Sequence, residues 1–151
     1  RGFNDTEMQV VLDRLILPRI MAFAPQAIVL QCGADALEED PLARLSLSNN
    51  AHWAVVAALQ AMTDRLLVLG GGGYNPWSVG RCWTGVWATL NGHVIPDRLP
   101  PAADAVLRAL TWNGGKRPLP ADHMFTTLRD VPRPGPVRPE ITDRLKHLAR
   151  R

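Results

Sequence analysis

The chain has 151 residues, of which 46% are hydrophobic and 21% are charged, and its net charge at pH 7 is +3. These values are typical of one soluble globular domain, or part of a larger one, and the spread of basic residues does not indicate a direct nucleic-acid surface. No apolar run approaches the roughly 20 residues that cross a bilayer and no signal peptide opens the chain, so we expect a cytoplasmic protein without a membrane partner.

The first predicted element is a helix over residues 5–23. Asn4 or Asp5 is suited to cap it, and Glu7 completes a capping box with Asn4 before apolar residues recur with helical spacing. Pro18 falls inside this pattern. Because proline lacks an amide donor and crowds the preceding turn, we expect a kink there.

Residues 27–32 follow as a continuous apolar run of strand length. Such runs are typical of strands in a parallel sheet that is covered by helices on both faces. An acidic loop over residues 33–41 comes next and contains Asp35. Its Glu38, Glu39 and Asp40 are interpreted as a solvated group, although Asp40 before Pro41 can also fix the loop by accepting backbone amides.

Ser48 or Asn49 is suited to cap a second helix, and residues 63–64 turn the chain back into the apolar strand 66–69. The order helix, strand, helix, strand, helix predicts an α/β fold with parallel strands and right-handed crossovers. The carboxyl ends of both strands then lie at one edge of the sheet, where ligands bind in open α/β sheets.

Four glycines at 70–73 follow the second strand and precede Tyr74. Glycine allows positive φ and close approach of the backbone to a ligand. Asn75 is suited to cap a helix and Pro76 to its first position, so a helix is predicted from there towards residues 91–92. Tyr74 is thereby placed at the ligand-binding edge.

Two other interpretations of the glycine stretch remain open. It is either a packing turn in which Tyr74 covers the core, or a phosphate cradle. The dinucleotide fingerprint requires glycine at the first, third and sixth positions, but the sixth position counted from Gly70 is Asn75, and the lysine of a P-loop is also missing. Both features argue against nucleotide binding.

Asp35 is interpreted either as a carboxylate that caps a turn or as a metal ligand. A catalytic zinc ion needs three protein ligands. The four histidines form neither an HxH nor an HExxH pattern, so spacing alone gives no full set of ligands. Cys32 and Cys82, in a predicted strand and a predicted helix, suit buried thiols in a reducing compartment.

Prolines are concentrated from Pro96 onwards, which divides the chain into a domain at 1–95 and an extension with short helices at 96–151. Helices are predicted over 101–110 and 140–151, with a semi-rigid linker at 133–136 between them. The basic residues near the end are either a solvated helix terminus or a site for an acidic partner.

Several of these motifs, in this order and spacing, resemble the carboxyl-terminal half of the histone deacetylase superfamily, in particular bacterial histone-deacetylase-like and acetoin-utilisation-type proteins. The resemblance covers residues 1–91. Its motifs are Gly2-Phe3-Asn4-Asp5, Gln31-Cys32-Gly33-Ala34-Asp35-Ala36-Leu37, Asp40-Pro41-Leu42, Leu69-Gly70-Gly71-Gly72-Gly73-Tyr74-Asn75 and Gly80-Arg81-Cys82-Trp83-Thr84.

The resemblance implies a three-layer arginase/deacetylase-type α/β fold and a zinc-dependent hydrolase that removes acyl groups from amines. The substrate would be acetyl-lysine, an acetylpolyamine or a small acylated metabolite. Asp35 would be one of three Zn²⁺ ligands and Tyr74 the phenol that acts on the scissile carbonyl. Gly71, Gly72 and Gly73 would line the acyl channel.

The family's other ligands, an Asp-x-His pair, and its paired histidines do not occur in this sequence, and Arg1 rather than methionine opens it. We therefore expect a fragment that is inactive alone and that pairs with a missing amino-terminal half or a second copy. The alternatives are a non-catalytic binding or assembly protein with the same fold and, third, a nucleotide-binding module.

Overall fold

The computed structural model describes residues 1–112 and 120–149. Over the first 90 residues the order is helix, strand, helix, strand, helix, as the sequence predicts. The elements are α1 (Asp5–Val11), a π-helical segment (Leu12–Ile16), α2 (Leu17–Phe23), β1 (Ile28–Gln31), a 3-10 turn (Ala34–Ala36), α3 (Asn49–Gln60), β2 (Leu66–Leu69), α4 (Pro76–Leu90), α5 (Pro101–Ala109), α6 (His123–Thr126) and α7 (Pro139–Ala149).

The two strands form a parallel sheet, which confirms the predicted topology. The register pairs Ile28 with Leu66 and Gln31 with Leu69. One face of the sheet packs, through Leu30 and Val68, on a core built by α3, α4 and the extension at 96–151, which is called the tail from here on. The buried members of this core are Cys32, Trp53, Val56, Val86 and Leu128.

The other face of the sheet is open. Val29, Leu67 and Leu69 are 63%, 55% and 45% exposed, so burial alternates along both strands. The apolar runs predict burial on both faces, and the helices that would cover the second face are not among residues 1–112 and 120–149. An apolar sheet face is therefore available to another polypeptide.

The first helix begins with the predicted capping box: Glu7 N donates to Asn4 Oδ1 at 3.0 Å, and Asn4 N to Glu7 Oε2 at 3.2 Å. The kink predicted at Pro18 is replaced by an irregular segment that lies before it, at Leu12–Ile16. The backbone N–H of Leu17 bonds to the carbonyl of Leu12, which widens the helix into a π turn before Pro18 enters α2. A π turn of this kind is a known cause of helix bending.

Helix α4 begins as predicted, because Asn75 Oδ1 accepts the amides of Trp77 and Ser78 and Pro76 is the first helical residue. Ser48 occupies the predicted N-cap position of α3. Its side chain, however, donates to Asp5 Oδ2 at 2.6 Å instead of accepting from the helix. Long-range contacts thus replace local capping at α3.

The tail completes this capping. Asp130 Oδ2 accepts the amide of Asn49, the first residue of α3, at 2.8 Å. Its Oδ1 lies 2.5 Å from Arg81 Nη1, and both side chains of this ion pair are buried. Arg138 binds the buried carboxylate of Glu7 through two nitrogens, at 2.7 and 2.8 Å. The tail is held against α1, α3 and α4.

The helices predicted in the tail are present as α5 and α7. Helix α7 begins one residue earlier than predicted, and residues 150–151 of the predicted helix lie outside the described part of the chain. The predicted linker at 133–136 has no regular structure but is bound along α1, through Asp5 and Thr6. Among the described residues, no helix is both long and apolar enough to span a membrane.

Candidate active site

Asp35 follows β1, and the four glycines at 70–73, here called the glycine loop, follow β2. The adjacent ends of the two strands bring them together, as the predicted topology requires. Pairing continues beyond the strands, because Cys32 N donates to the carbonyl of Leu69 at 2.8 Å and Ala34 N to that of Gly72 at 2.7 Å. Asp35 lies in the 3-10 turn immediately after this second bond, and its side chain is exposed. Its carboxylate therefore stands beside the loop.

Gly72 and Gly73 show why the loop is built from glycine. A Cβ on Gly72 would lie 2.1 Å from Asp35 Oδ2, far inside van der Waals contact. Gly73 has φ +153°, which side-chain-bearing residues rarely adopt. The glycine stretch thus permits the backbone to pass directly against the carboxylate.

A cavity of about 400 Å³ opens at this position. Its walls come from both strand ends, α1 and α3. They are Met8, Leu30, Gln31, Cys32, Gly33, Asp35, Ala36, Leu47, Ala51, His52, Val55, Gly71 and Gly72. The structure thereby brings Asp35, Gly71 and Gly72 to one cavity, whereas Gly73 and Tyr74 are not among its walls.

His52 supports the turn that carries Asp35. Its Nε2 lies 2.9 Å from the carbonyl oxygen of Gly33, and because a carbonyl only accepts, this nitrogen carries the proton. The ring is buried in α3. This contact had no signal in the sequence, since a lone histidine in a predicted helix has no evident partner.

The backbone of Tyr74 is fixed although its side chain is 51% exposed. Its amide donates to Asp40 Oδ2 at 2.6 Å, and Leu42 N donates to Asp40 Oδ1 at 2.9 Å. Asp40 is buried, so the interpretation of the acidic loop as solvated is wrong for this residue, and its role as an acceptor of backbone amides is confirmed. Without Asp40, these two partly buried amides would lose their acceptor.

Glu39 also departs from the solvated interpretation. Its carboxylate pairs with Arg133, its backbone carbonyl accepts Asn75 Nδ2 at 3.1 Å, and among the three acidic residues only Glu38 is exposed. No pattern in the sequence indicated Arg133 as the partner, since it lies 94 positions away.

The cysteines are free and buried, as predicted. Burial raises the pKa of Cys32 to about 11 and also raises the pKa of Cys82. Because the thiolate is the reactive form of cysteine, neither side chain is a nucleophile at neutral pH in this fold.

The described residues include one candidate metal ligand at the cavity, Asp35. Asp35 is an exposed carboxylate at a cavity, which suits one zinc ligand. No group of three or more histidine, cysteine, aspartate or glutamate side chains occurs in the part of the chain that the structure describes. Residues 1–112 and 120–149 therefore fit one ligand of a zinc site and not the full set.

Comparison with solved structures agrees with this geometry. A histone deacetylase homologue from Aquifex aeolicus superposes on 99% of this chain with a TM-score of 0.88 and 32% identity, and the chain covers 40% of it. The structure of a histone deacetylase homologue complexed with SAHA gives the same values. The arginase/deacetylase-type α/β fold is thereby confirmed.

Sequence relatives lead to the same family. Histone deacetylase 1 of Oryza sativa subsp. japonica is 40% identical over 100 residues, which are 66% of this chain and 19% of the relative. Histone deacetylase 1 of Homo sapiens is 34% identical over 99 residues, 66% of this chain and 20% of the relative. The chain thus spans about a fifth of these relatives. The family profile described as the histone deacetylase domain matches residues 1–90, and the chain belongs to the histone deacetylase family.

Proposed function

We propose that this chain supplies part of the active site of a zinc-dependent deacetylase that hydrolyses acylated amines. The observation that supports this most directly is the position of the Asp35 carboxylate against Gly72, at the adjacent ends of two parallel strands and beside a cavity. Family membership supports the reaction class. The assignment of individual residues is part of the proposal.

Asp35 would hold the metal together with two ligands from outside this chain. A bound zinc ion supplies Lewis acidity, which activates water and polarises a carbonyl. Asp35 offers carboxylate oxygens of the type that zinc binds, on a turn that is fixed by the Ala34 to Gly72 hydrogen bond. The exposed carboxylate is free to take part in a shared site.

Tyr74 would donate its phenolic O–H to the scissile carbonyl. A donor that is already in place stabilises the negative charge that develops on this oxygen in the transition state. The Tyr74 backbone is held by a buried carboxylate, and its side chain is half exposed and so accessible to a substrate. Gly71, Gly72 and Gly73 would line the channel for the acyl chain, since they have no side chains to obstruct it.

The remaining ligands would come from the rest of a deacetylase domain. The chain covers 40% of the Aquifex homologue, and its exposed sheet face (Val29, Leu67 and Leu69) offers the apolar surface on which further polypeptide would pack. A second copy of the chain is the alternative occupant. The complete domain would act in the cytoplasm on acetyl-lysine, an acetylpolyamine or a small acylated metabolite.

A non-catalytic binding or assembly protein is the second candidate. It is favoured by one observation: residues 1–112 and 120–149 contain no group of three potential metal ligands. A protein that keeps the fold for assembly needs the sheet face but not Asp35 or Tyr74.

The two candidates are separated by comparing the chain alone with the complete domain, meaning this chain joined to the upstream polypeptide that carries the other ligands. Both are assayed on an acetyl-lysine peptide and an acetylpolyamine after zinc loading. We expect turnover only by the complete domain, with loss on chelation and recovery on adding zinc. A complete domain that holds stoichiometric zinc and hydrolyses no acylated amine would refute the deacetylase proposal.

A further inference from the structure

Two consecutive acidic residues hold the two residues at the end of the glycine loop. Asp40 Oδ2 accepts the amide of Tyr74, and the backbone carbonyl of Glu39 accepts the side-chain amide of Asn75, the cap of α4. The position of Tyr74 therefore depends on where residues 39 and 40 lie.

Arg133 in turn holds Glu39. Its guanidinium pairs with the Glu39 carboxylate, and its backbone is fixed to α1 in both directions: Arg133 N donates to Asp5 Oδ2 at 2.8 Å, and Asp5 N donates to the Arg133 carbonyl at 3.0 Å. The arginine thus connects the first helix to the acidic loop.

The two side chains of this pair depend on each other. The Glu39 side chain is 19% exposed and that of Arg133 is 33% exposed, so the pair is only partly solvated. The pair is joined through Arg133 Nη2 and Glu39 Oε1, whereas Glu39 Oε2 and Arg133 Nε are buried without a hydrogen-bond partner. Removing either side chain leaves a shielded charge without its counterion, which is costlier than losing a surface ion pair.

We infer that Arg133, which lies outside the matched residues 1–90, is a positioning residue for Tyr74, acting through Glu39 and Asp40. The inference rests on the proposed function, because it assigns to the tail a part in placing the proposed carbonyl donor. The tail of this chain is then a component of the active site's support and not an appendage to it.

The test uses a property of the composition: Tyr74 is the only tyrosine. The 151-residue chain labelled with ¹⁵N-tyrosine gives one amide signal, which reports on the Tyr74 to Asp40 hydrogen bond. We expect Arg133→Ala to shift this signal and to raise its hydrogen-exchange rate at least about fivefold, as the loop opens locally. Glu39→Gln, which keeps the side-chain size and removes the charge, should act in the same direction.

Two controls distinguish positioning from general loosening. Arg144→Ala removes an exposed arginine of α7 and should leave the Tyr74 signal unchanged. In a uniformly ¹⁵N-labelled sample, the amide of Ala34, bonded to the Gly72 carbonyl, should keep its exchange rate in Arg133→Ala. The charge exchange Arg133→Glu with Glu39→Arg should restore the Tyr74 signal.

The inference is overturned if Arg133→Ala and Arg144→Ala give the same Tyr74 exchange rate, or if Ala34 exchange accelerates as much as that of Tyr74. In the complete domain, Arg133→Ala should lower kcat with unchanged zinc content, and should have no further effect on kcat in a Tyr74→Phe background. If the proposed function is wrong, the Tyr74→Phe variant of the complete domain keeps its full kcat. This result does not depend on the Tyr74 amide signal, so the two failures are distinguishable.

Discussion

The amide of Tyr74 donates to the buried carboxylate of Asp40 at 2.6 Å, across 34 positions of the sequence. The other oxygen of the same carboxylate accepts the amide of Leu42 at 2.9 Å. One side chain therefore closes its own turn and fixes the end of the glycine loop. Hydrogen bonds to an ionised acceptor are stronger than those between neutral groups.

Replacing Asp40 by asparagine should destabilise the fold although the shapes are alike. Asparagine has one acceptor oxygen, so its NH₂ group would face one of the two backbone amides, donor against donor. We expect a loss of about 1–3 kcal/mol in the free energy of unfolding, the usual cost of an unsatisfied buried group. Urea denaturation of the chain measures it.

Glu38→Gln is the matched control for this change, because Glu38 is an exposed acidic residue two positions before Asp40. Its free energy of unfolding should stay within about 0.5 kcal/mol of the original chain. Equal stability of the Asp40→Asn and Glu38→Gln variants would contradict the role assigned to Asp40.

Local sequence signals predicted the structure well wherever the partner lies within one turn. The box of Asn4 and Glu7 and the cap at Asn75 are such cases, since a side chain and the amide it binds are only two or three residues apart. The parallel pairing of β1 and β2 was predicted from the order of elements. Asp35 and Gly72 lie close together for the same reason, because the carboxyl ends of neighbouring parallel strands lie at one edge of the sheet.

Distant pairs in the tail were not predictable in this way. Asp130 caps α3 and neutralises Arg81 from 49 positions away, and Arg133 reaches Glu39 from 94. Nothing in the residues around Asp130 or Glu39 identifies these partners, because only the folded tail brings them together. Glu38, Glu39 and Asp40 therefore resembled a solvated group in the sequence, although two of these three carboxylates are bound in the structure.

The proposed metal-ligand role of Asp35 predicts a specific loss. In the complete domain, Asp35→Ala should sharply lower both zinc content and deacetylase activity, since a catalytic zinc site has about three protein ligands and this one would lose a third of them. Atomic-emission analysis measures the metal. The control Asp64→Ala, which removes an exposed aspartate before β2, should retain zinc. Full zinc occupancy in Asp35→Ala would disprove the assignment.

Tyr74→Phe should separate catalysis from metal binding. The change removes one O–H donor and keeps the ring, so kcat of the complete domain should fall by about 10²–10³, the range for loss of one oxyanion donor. Zinc content should be unchanged, because the phenol is proposed to act on the substrate. An unaltered kcat, or loss of zinc in this variant, would be incompatible with the proposed role.

The stability of the chain should fall in acid through Glu7. Hydrogen bonds from Arg138 lower the pKa of Glu7 from its ordinary value of 4.5 to about 2 in the folded chain. Because the folded state favours the ionised carboxylate, this stabilisation is fully present above pH 4.5 and is lost as the pH falls from there towards 2.

Glu7→Gln should therefore be less stable than the original chain at neutral pH and should lose less stability between pH 5 and pH 3. Urea unfolding at several pH values gives both quantities. Glu38→Gln, which removes an exposed carboxylate, should keep the acid dependence of the original chain. If Glu7→Gln and the original chain lose stability equally, the pairing with Arg138 does not govern this transition.

The open sheet face predicts how the chain behaves without further polypeptide. Val29 and Leu67 are direct neighbours in the strand register and Leu69 continues their row, so the face is a contiguous apolar surface. Among the described residues, each strand pairs only with the other, which leaves both outer edges unpaired. Exposed apolar faces and unpaired edges both favour association.

We expect the isolated chain to self-associate in light scattering, to bind no stoichiometric zinc in calorimetry and to show no amide-hydrolase activity; adding the amino-terminal half should restore metal binding before turnover. Leu67→Lys should shift the chain towards monomer, because a charge in the middle of the face opposes its burial. Val106→Lys, at an equally exposed apolar residue of α5, should leave association unchanged. A monomeric chain that binds one zinc ion tightly through Asp35 and cleaves an acetylated amine would show that these residues form a complete site.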